Sequence, residues 1–143
     1  MSTVAQILQN KPTQAVHTVA PATSVLDAMR EMAAHRIGAL LIAQDGRIQG
    51  IVTERDYARK VEIRGLSAAT TPIGDIMTAD VMFVTPATTT QECMALMTDK
   101  RLRHLPVMDD GRLVGLVSIG DLVKEIISEQ QFMIEQLESY IRS

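Results

Sequence analysis

Two short patterns in this chain of 143 residues have the residue types and spacing to do chemistry: Thr53-Glu54-Arg55-Asp56 and Ser118-Ile119-Gly120-Asp121. In each, a hydroxyl is followed three positions later by a carboxylate, directly after an apolar run. That is the spacing of a helix capping box, in which the hydroxyl accepts an orphan backbone N–H and the acid reaches back, worth about 0.5–2 kcal/mol. The same geometry suits a ligand. A strand feeding a helix start turns free N–H groups and the positive dipole end outward, where phosphate binds, and a carboxylate one turn in can accept both hydroxyls of a ribose. The two readings are compatible, and the residue types alone leave both open.

Arg55 sharpens the choice. A cation in the first helical turn opposes the dipole by about 0.3–1 kcal/mol. An anion bound there would relieve the mismatch; otherwise Arg55 is a solvated side chain between Glu54 and Asp56. Its counterpart in the second pattern is Gly120, so the two places should differ in phosphate affinity. A basic cluster, Lys100, Arg101, Arg103 and His104, is the other charged feature. Lys100 and Arg101 suit a helix C-terminus. Arg103 and His104 open an apolar run containing Leu105, Pro106 and Val107, where they either bind phosphate, Arg with a bidentate fork, or form an exposed strand end.

The elements around these residues repeat. Val4 to Leu8 reads as a short apolar turn, followed by a polar stretch to Val16, and Thr18-Val19 as a short strand closed by Pro21. Ser24 and Asp27 have capping spacing, and Val25, Ala28, Met29, Met32 and Ala33 mark one buried helix face ending near His35-Arg36. Ala39 to Ile42 is a strand, Asp45-Gly46 a hairpin turn, Ile48 to Val52 the return strand, and Thr53 starts a helix running to about Ile63. Adding 65 maps Pro21 to Pro86, Met32 to Met97, Asp45-Gly46-Arg47 to Asp110-Gly111-Arg112, Gly50 to Gly115 and Asp56 to Asp121, with no gap from Val16 to Arg59. The expected organisation is a first repeat over 1–64, a linker over 65–72, a second repeat over 73–127 and a helical extension over 128–143. Each copy reads β-α-β-β-α, an α/β (α+β) class in which a unit so small cannot cover its own sheet. Two copies should therefore pack about a pseudo-two-fold axis, with ligand clefts between them.

Composition narrows the functions. Net charge is -3, from 14 basic and 17 acidic residues, and aromatics make up 3% with no tryptophan, which argues against nucleic acid as a partner. One cysteine excludes an intrachain disulfide and a cysteine-based zinc site; with no secretory signal or membrane span in the sequence, a cytoplasmic protein is expected. Cys93 aligns with Ala28 on a buried helix face, the place of an inert core thiol. His17, His35 and His104 lack metal-ligand spacing, and no catalytic constellation emerges. The expectation is a protein with no enzymatic activity, no catalytic cofactor and no bound metal.

With these residues in place, the chain resembles a tandem pair of CBS domains, the modules named after cystathionine beta-synthase. The resemblance covers Val4 to about Ile127 and rests on Gly50-Ile51-Val52-Thr53-Glu54-Arg55-Asp56, Gly115-Leu116-Val117-Ser118-Ile119-Gly120-Asp121 and Arg103-His104-Leu105-Pro106-Val107. It implies a stand-alone regulatory sensor of an adenosine-containing ligand such as AMP, ADP, ATP, NAD or S-adenosylmethionine. By that resemblance Asp56 and Asp121 bind ribose, Thr53 and Ser118 contact ribose or phosphate, and Arg103 and His104 meet phosphate, with Arg55 a candidate from its mismatch with the helix dipole. Gly38 and Ala39 give the first copy backbone and room where the second has Arg103 and His104. Thr18, Ile37 and Ala39, with Phe83, Leu102 and Pro106, are then candidate walls for the adenine, and Leu105 is counted with the nucleotide-binding residues. With the repeat filling almost the whole length, no attached catalytic domain is expected.

Beyond the second copy, Leu122, Ile126, Met133, Leu137 and Ile141 continue a helical stripe, with Phe132 and Tyr140 near the same face. An apolar stripe of that length marks an interface, and a homodimer through this helix is the expectation. The competing possibility is a dimeric interaction scaffold that has lost its ligands.

Overall fold

A computed structural model describes residues 2–11 and 16–142. Of the polar stretch before Val16, positions 12–15 lie outside the described residues. The elements follow in the order α1 (Val4–Asn10), β1 (Thr18–Val19), α2 (Val25–His35), β2 (Ala39–Gln44), β3 (Arg47–Thr53) and α3 (Glu54–Tyr57). A π-helical turn, Ala58–Glu62, extends α3, and a 3-10 turn covers Ile73–Asp75. Then come α4 (Thr90–Lys100), β4 (His104–Asp109), β5 (Arg112–Ser118) and the 24-residue α5 (Ile119–Arg142). This is a mixed α/β fold with two sheets, a β-α-β-β-α first copy, a second copy whose leading strand is reduced to a single bridge, and a long C-terminal helix.

The repeat extends to backbone dihedrals. Arg36 and Arg101, 65 positions apart, end α2 and α4 in the left-handed region at φ 55° and 56°. Asp45-Gly46 and Asp110-Gly111 turn the two hairpins with positive φ at both residues, the twist that a two-residue hairpin loop demands. Ser24 and Thr89 cap their helices by accepting the N–H of Asp27 and Glu92, each at 3.1 Å. On α2 the buried stripe is Val25, Ala28 and Met32; Ala33, expected on that face, is exposed.

The chain divides into two compact units. The continuous unit is His17–Val81; the split unit joins the residues through Val16 to those from Met82 onward. In the continuous unit β1 pairs parallel with β2, and β2 antiparallel with β3, giving a three-stranded sheet. Its core gathers Val25, Ala28, Met32, Leu40, Ile42, Val52 and Val61 with Ile73 and Ile76. In the split unit β4 and β5 form a two-stranded sheet whose core gathers Cys93, Met97, Leu105, Val107, Val117 and Leu122 with Val4 and Ile7. The leading apolar turn of each sequence copy thus fills the core that carries the other copy's hairpin. The segment at 65–72 is likewise bonded in place, Thr71 and Ala68 carbonyls accepting the N–H groups of Val25 and Leu26 at 2.9 Å each.

The strand expected at Phe83-Val84 contracts to a single parallel bridge between Val84 and Val107. Val84 donates to the Pro106 carbonyl at 3.0 Å and accepts from Met108 at 2.9 Å. The N–H and C=O of one strand residue point to the same edge, so Pro106 has a carbonyl for Val84 but no N–H to carry the ladder further back. In the first copy that position is Leu41, and there the pairing reaches Thr18.

Candidate functional site

Each hydroxyl–acid pattern sits where a hairpin's return strand passes into a helix, and each forms the reciprocal bonds its spacing predicts. The Thr53 N–H donates to Asp56 Oδ2 at 3.0 Å, and the Asp56 N–H to Thr53 Oγ1 at 3.3 Å. The Ser118 N–H donates to Asp121 Oδ2 at 2.9 Å, and the Asp121 N–H to Ser118 Oγ at 3.1 Å. The capping role is therefore real in both copies. It also fixes each carboxylate one turn into its helix with most of its surface covered, the two side chains being 16% and 19% exposed.

Strand register brings the remaining candidates to these junctions. In the split unit His104 lies directly opposite Ser118, and the Arg103 carbonyl accepts the Ile119 N–H at 2.9 Å. Arg103 is exposed and His104 half-buried. In the continuous unit the matching places hold Ala39, opposite Thr53, and Gly38, whose carbonyl accepts the Glu54 N–H at 3.3 Å. A side chain at Gly38 would meet open space, consistent with room rather than charge there. Arg55 is exposed on α3.

The expected apolar walls divide. Thr18 and Phe83 are exposed, Ile37 and Leu102 half-buried, Ala39 and Pro106 buried. Leu105, expected among the nucleotide-binding residues, lies inside the unit. It is fully buried in the split unit's core, because strand alternation turns it away from the face of its neighbours His104 and Pro106.

Two lysines complete the junctions, and the motif search had not singled them out. Lys11 donates to Asp121 Oδ2 at 2.9 Å and to the Leu116 carbonyl at 2.8 Å. Lys60 lies 3.4 Å from Asp56 Oδ1 and donates to the Ile76 carbonyl at 2.9 Å. The signal for Lys60 was its i,i+4 spacing from Asp56. For Lys11 no local signal existed. Burial alone would raise the Asp121 pKa, but the Ser118 bonds and the Lys11 ammonium together hold the carboxyl below its ordinary value. Burial pushes the Cys93 thiol up to about 11, with the Glu92 charge adding to it, so the thiolate is scarce near neutrality. His17 and His35 stack at 3.6 Å between ring centroids, with Glu31 Oε2 3.2 Å from His35 Nε2. Among the described residues no group of three His, Cys, Asp or Glu is placed to hold a metal ion.

The CBS-domain family model matches residues 4–63 and 73–128. The chain belongs to the CBS-domain family. This CBS pair is 43% identical over 124 residues to the CBS domain-containing protein CBSX3, mitochondrial, of Arabidopsis thaliana; the match covers 83% of the chain and 60% of that relative. The pair thus spans less than two thirds of the plant protein's length. A CBS-domain protein of Burkholderia ambifaria MC40-6 superposes with a TM-score of 0.87 at 53% identity, covering 90% of this chain and 96% of its own. The CBS pair of protein MJ0100, solved with 5′-methylthioadenosine and S-adenosyl-L-methionine, superposes with a TM-score of 0.79, covering 90% and 98% of the two chains; at 24% identity it establishes the shared fold. Among the described residues no helix of the CBS pair is long and apolar enough to cross a membrane.

Proposed function

We propose that this CBS pair is a non-catalytic regulatory module that binds an adenosine-containing ligand, AMP, ADP, ATP or NAD, at the Asp56 and Asp121 junctions and converts binding into a conformational change that a protein partner reads. The observation that carries this reading is the state of the Asp121 carboxylate. Its Oδ2 accepts both the Ser118 N–H and the Lys11 ammonium, so the cap and the ion pair converge on one oxygen. A cap needs one oxygen; the second remains for a ribose hydroxyl. Arg103 and His104 stand across the strand pair from it, where a phosphate would meet positive charge and N–H donors. The MJ0100 pair supports the reading at the level of the fold, since adenosine-containing molecules occupy that protein. A ligand shifts a conformational equilibrium only by its differential affinity for the two states, so binding and response should change together.

Calorimetric titration of the full chain with AMP, ADP, ATP, NAD and S-adenosylmethionine tests the proposal. At least one should bind, and Asp121→Ala should weaken it by roughly tenfold to a hundredfold, as expected for lost hydrogen bonds to a charged group. Asp56→Ala should weaken binding less, because Gly38 and Ala39 stand where the Asp121 junction has Arg103 and His104, and the Lys60 ion pair beside Asp56 is the longer one at 3.4 Å. Retained affinity in both variants would reduce these acids to caps.

One observation favours a second role. Phe132, Met133, Ile134, Leu137, Tyr140 and Ile141 on α5 are each more than half exposed in the isolated chain. We infer that α5 is the surface through which two copies form a homodimer, either as part of the sensor or, in a pair without ligand, as the whole of an interaction scaffold.

A further inference from the structure

Lys11 does more at the Asp121 junction than neutralise an acid. Its ammonium carries three N–H donors. Two of them have acceptors among the described residues, the Leu116 carbonyl at 2.8 Å and Asp121 Oδ2 at 2.9 Å, and the side chain keeps 25% of its surface open to solvent. A lysine fixed by two acceptors has already given up the rotamer freedom that ligand binding would otherwise take from it. Among the described residues the remaining N–H has no acceptor, which makes it a prearranged donor beside the carboxylate.

The same arrangement occurs at Asp56, where Lys60 bridges the acid and the Ile76 carbonyl. It was not inherited through the repeat, because the 65-residue shift takes Lys11 to Ile76 and Lys60 to Glu125. Two unrelated positions bring a lysine to the same place, beside the same acid, anchored on a backbone carbonyl. The anchoring is tighter at Asp121, where both bonds are short, than at Asp56, where the ion pair is 3.4 Å. Arg103 stands beside the Asp121 junction, where the Asp56 junction has Gly38.

We propose that Lys11 sets the charge preference of the Asp121 junction, donating its remaining N–H to the anionic, phosphate-bearing part of a ligand whose ribose hydroxyls rest on Asp121. The inference depends on the ribose reading of Asp121 and adds to it a selectivity. A nucleotide and its parent nucleoside present the same ribose to the acid, and only the nucleotide presents an anion to the lysine. The preference should weaken as salt screens these partly exposed charges.

The test is calorimetry of the full chain with AMP and with adenosine, on the wild type, Lys11→Met and Lys11→Arg. The wild type should prefer AMP. Lys11→Met should weaken AMP about tenfold, the size of one charge-assisted hydrogen bond, and leave adenosine within about twofold. Lys11→Arg should keep the preference. Equal loss for both ligands in Lys11→Met would make Lys11 a strut between β5 and the segment after α1; equal gain would make it a competitor for the carboxylate. Either result overturns the proposal. Melting temperatures, with Lys11→Gln as a second neutral variant, separate loss of fold from loss of charge. If the wild type binds none of the adenosine-containing ligands titrated above, the ribose reading itself falls, whereas loss of AMP binding alone, or binding with an unaltered AMP-to-adenosine ratio in the neutral variants, removes only the role of Lys11.

Discussion

Asp121 answers to burial, to a backbone N–H and to a lysine, and the last two win. A carboxyl whose pKa is lowered in the folded chain contributes stability above its unfolded pKa, about 3.9, and that contribution disappears as pH falls through the folded value. Asp121→Asn should therefore be less stable than the wild type at neutral pH, and the gap should narrow below about pH 4. Urea midpoints on both proteins across that range check it; a gap of constant size would mean that packing, not charge, is what the substitution removes. Asp121 and Asp56 were legible in the sequence because hydroxyl and acid lie within four residues of each other. Lys11 was not, since its partner lies 110 positions away and only the folded chain brings them together.

Gly50 and Gly115, on the return strands β3 and β5, show what a repeat fixes and what it leaves to each copy. A Cβ at Gly50 would stand 2.6 Å from Met77 Sδ and 2.8 Å from the Thr78 carbonyl, which is itself held by the Ile51 N–H. A Cβ at Gly115 would first meet the end of Leu8, at 2.6 and 2.9 Å from its two methyl carbons, and a leucine tip can turn aside. Gly50→Ala should cost about 1–3 kcal/mol and Gly115→Ala less, as read from denaturant midpoints. An equal cost at both positions would mean that the Leu8 side chain is as immovable as a backbone carbonyl. The paired glycines, hairpin turns and helix caps were all readable from spacing, because each follows from local backbone geometry. The shortened pairing at Val84 and the π-helical turn at Ala58–Glu62 were not, although Pro106 stood in the sequence as the cause of the first.

For the whole molecule, the two sequence copies were legible and the two compact units were not. Periodicity and turn residues locate a copy, but they carry no record of which core its leading turn will fill. The long helix is a mixed case. Its apolar stripe was visible in the sequence, and the fold divides it into Leu122, fully buried in the split unit, and a distal half whose side chains remain open. Truncation after residue 130 spares the bond from the Ser2 N–H to Glu129 Oε1 at 2.7 Å while removing the exposed apolar turns. Ultracentrifugation should then find monomers where the full chain gives dimers; a dimer that survives would place the interface elsewhere. The exchange of leading turns also sets an order of assembly. Every residue of the continuous unit has been synthesised once Val81 is added, whereas Val4 and Ile7 must wait for Leu105, Val107 and Val117 before their own core exists. Through the interval in which His17–Val81 can already close, Val4–Asn10 remains a segment whose apolar side chains lack their core, exposed on the nascent chain to whatever else binds such surfaces.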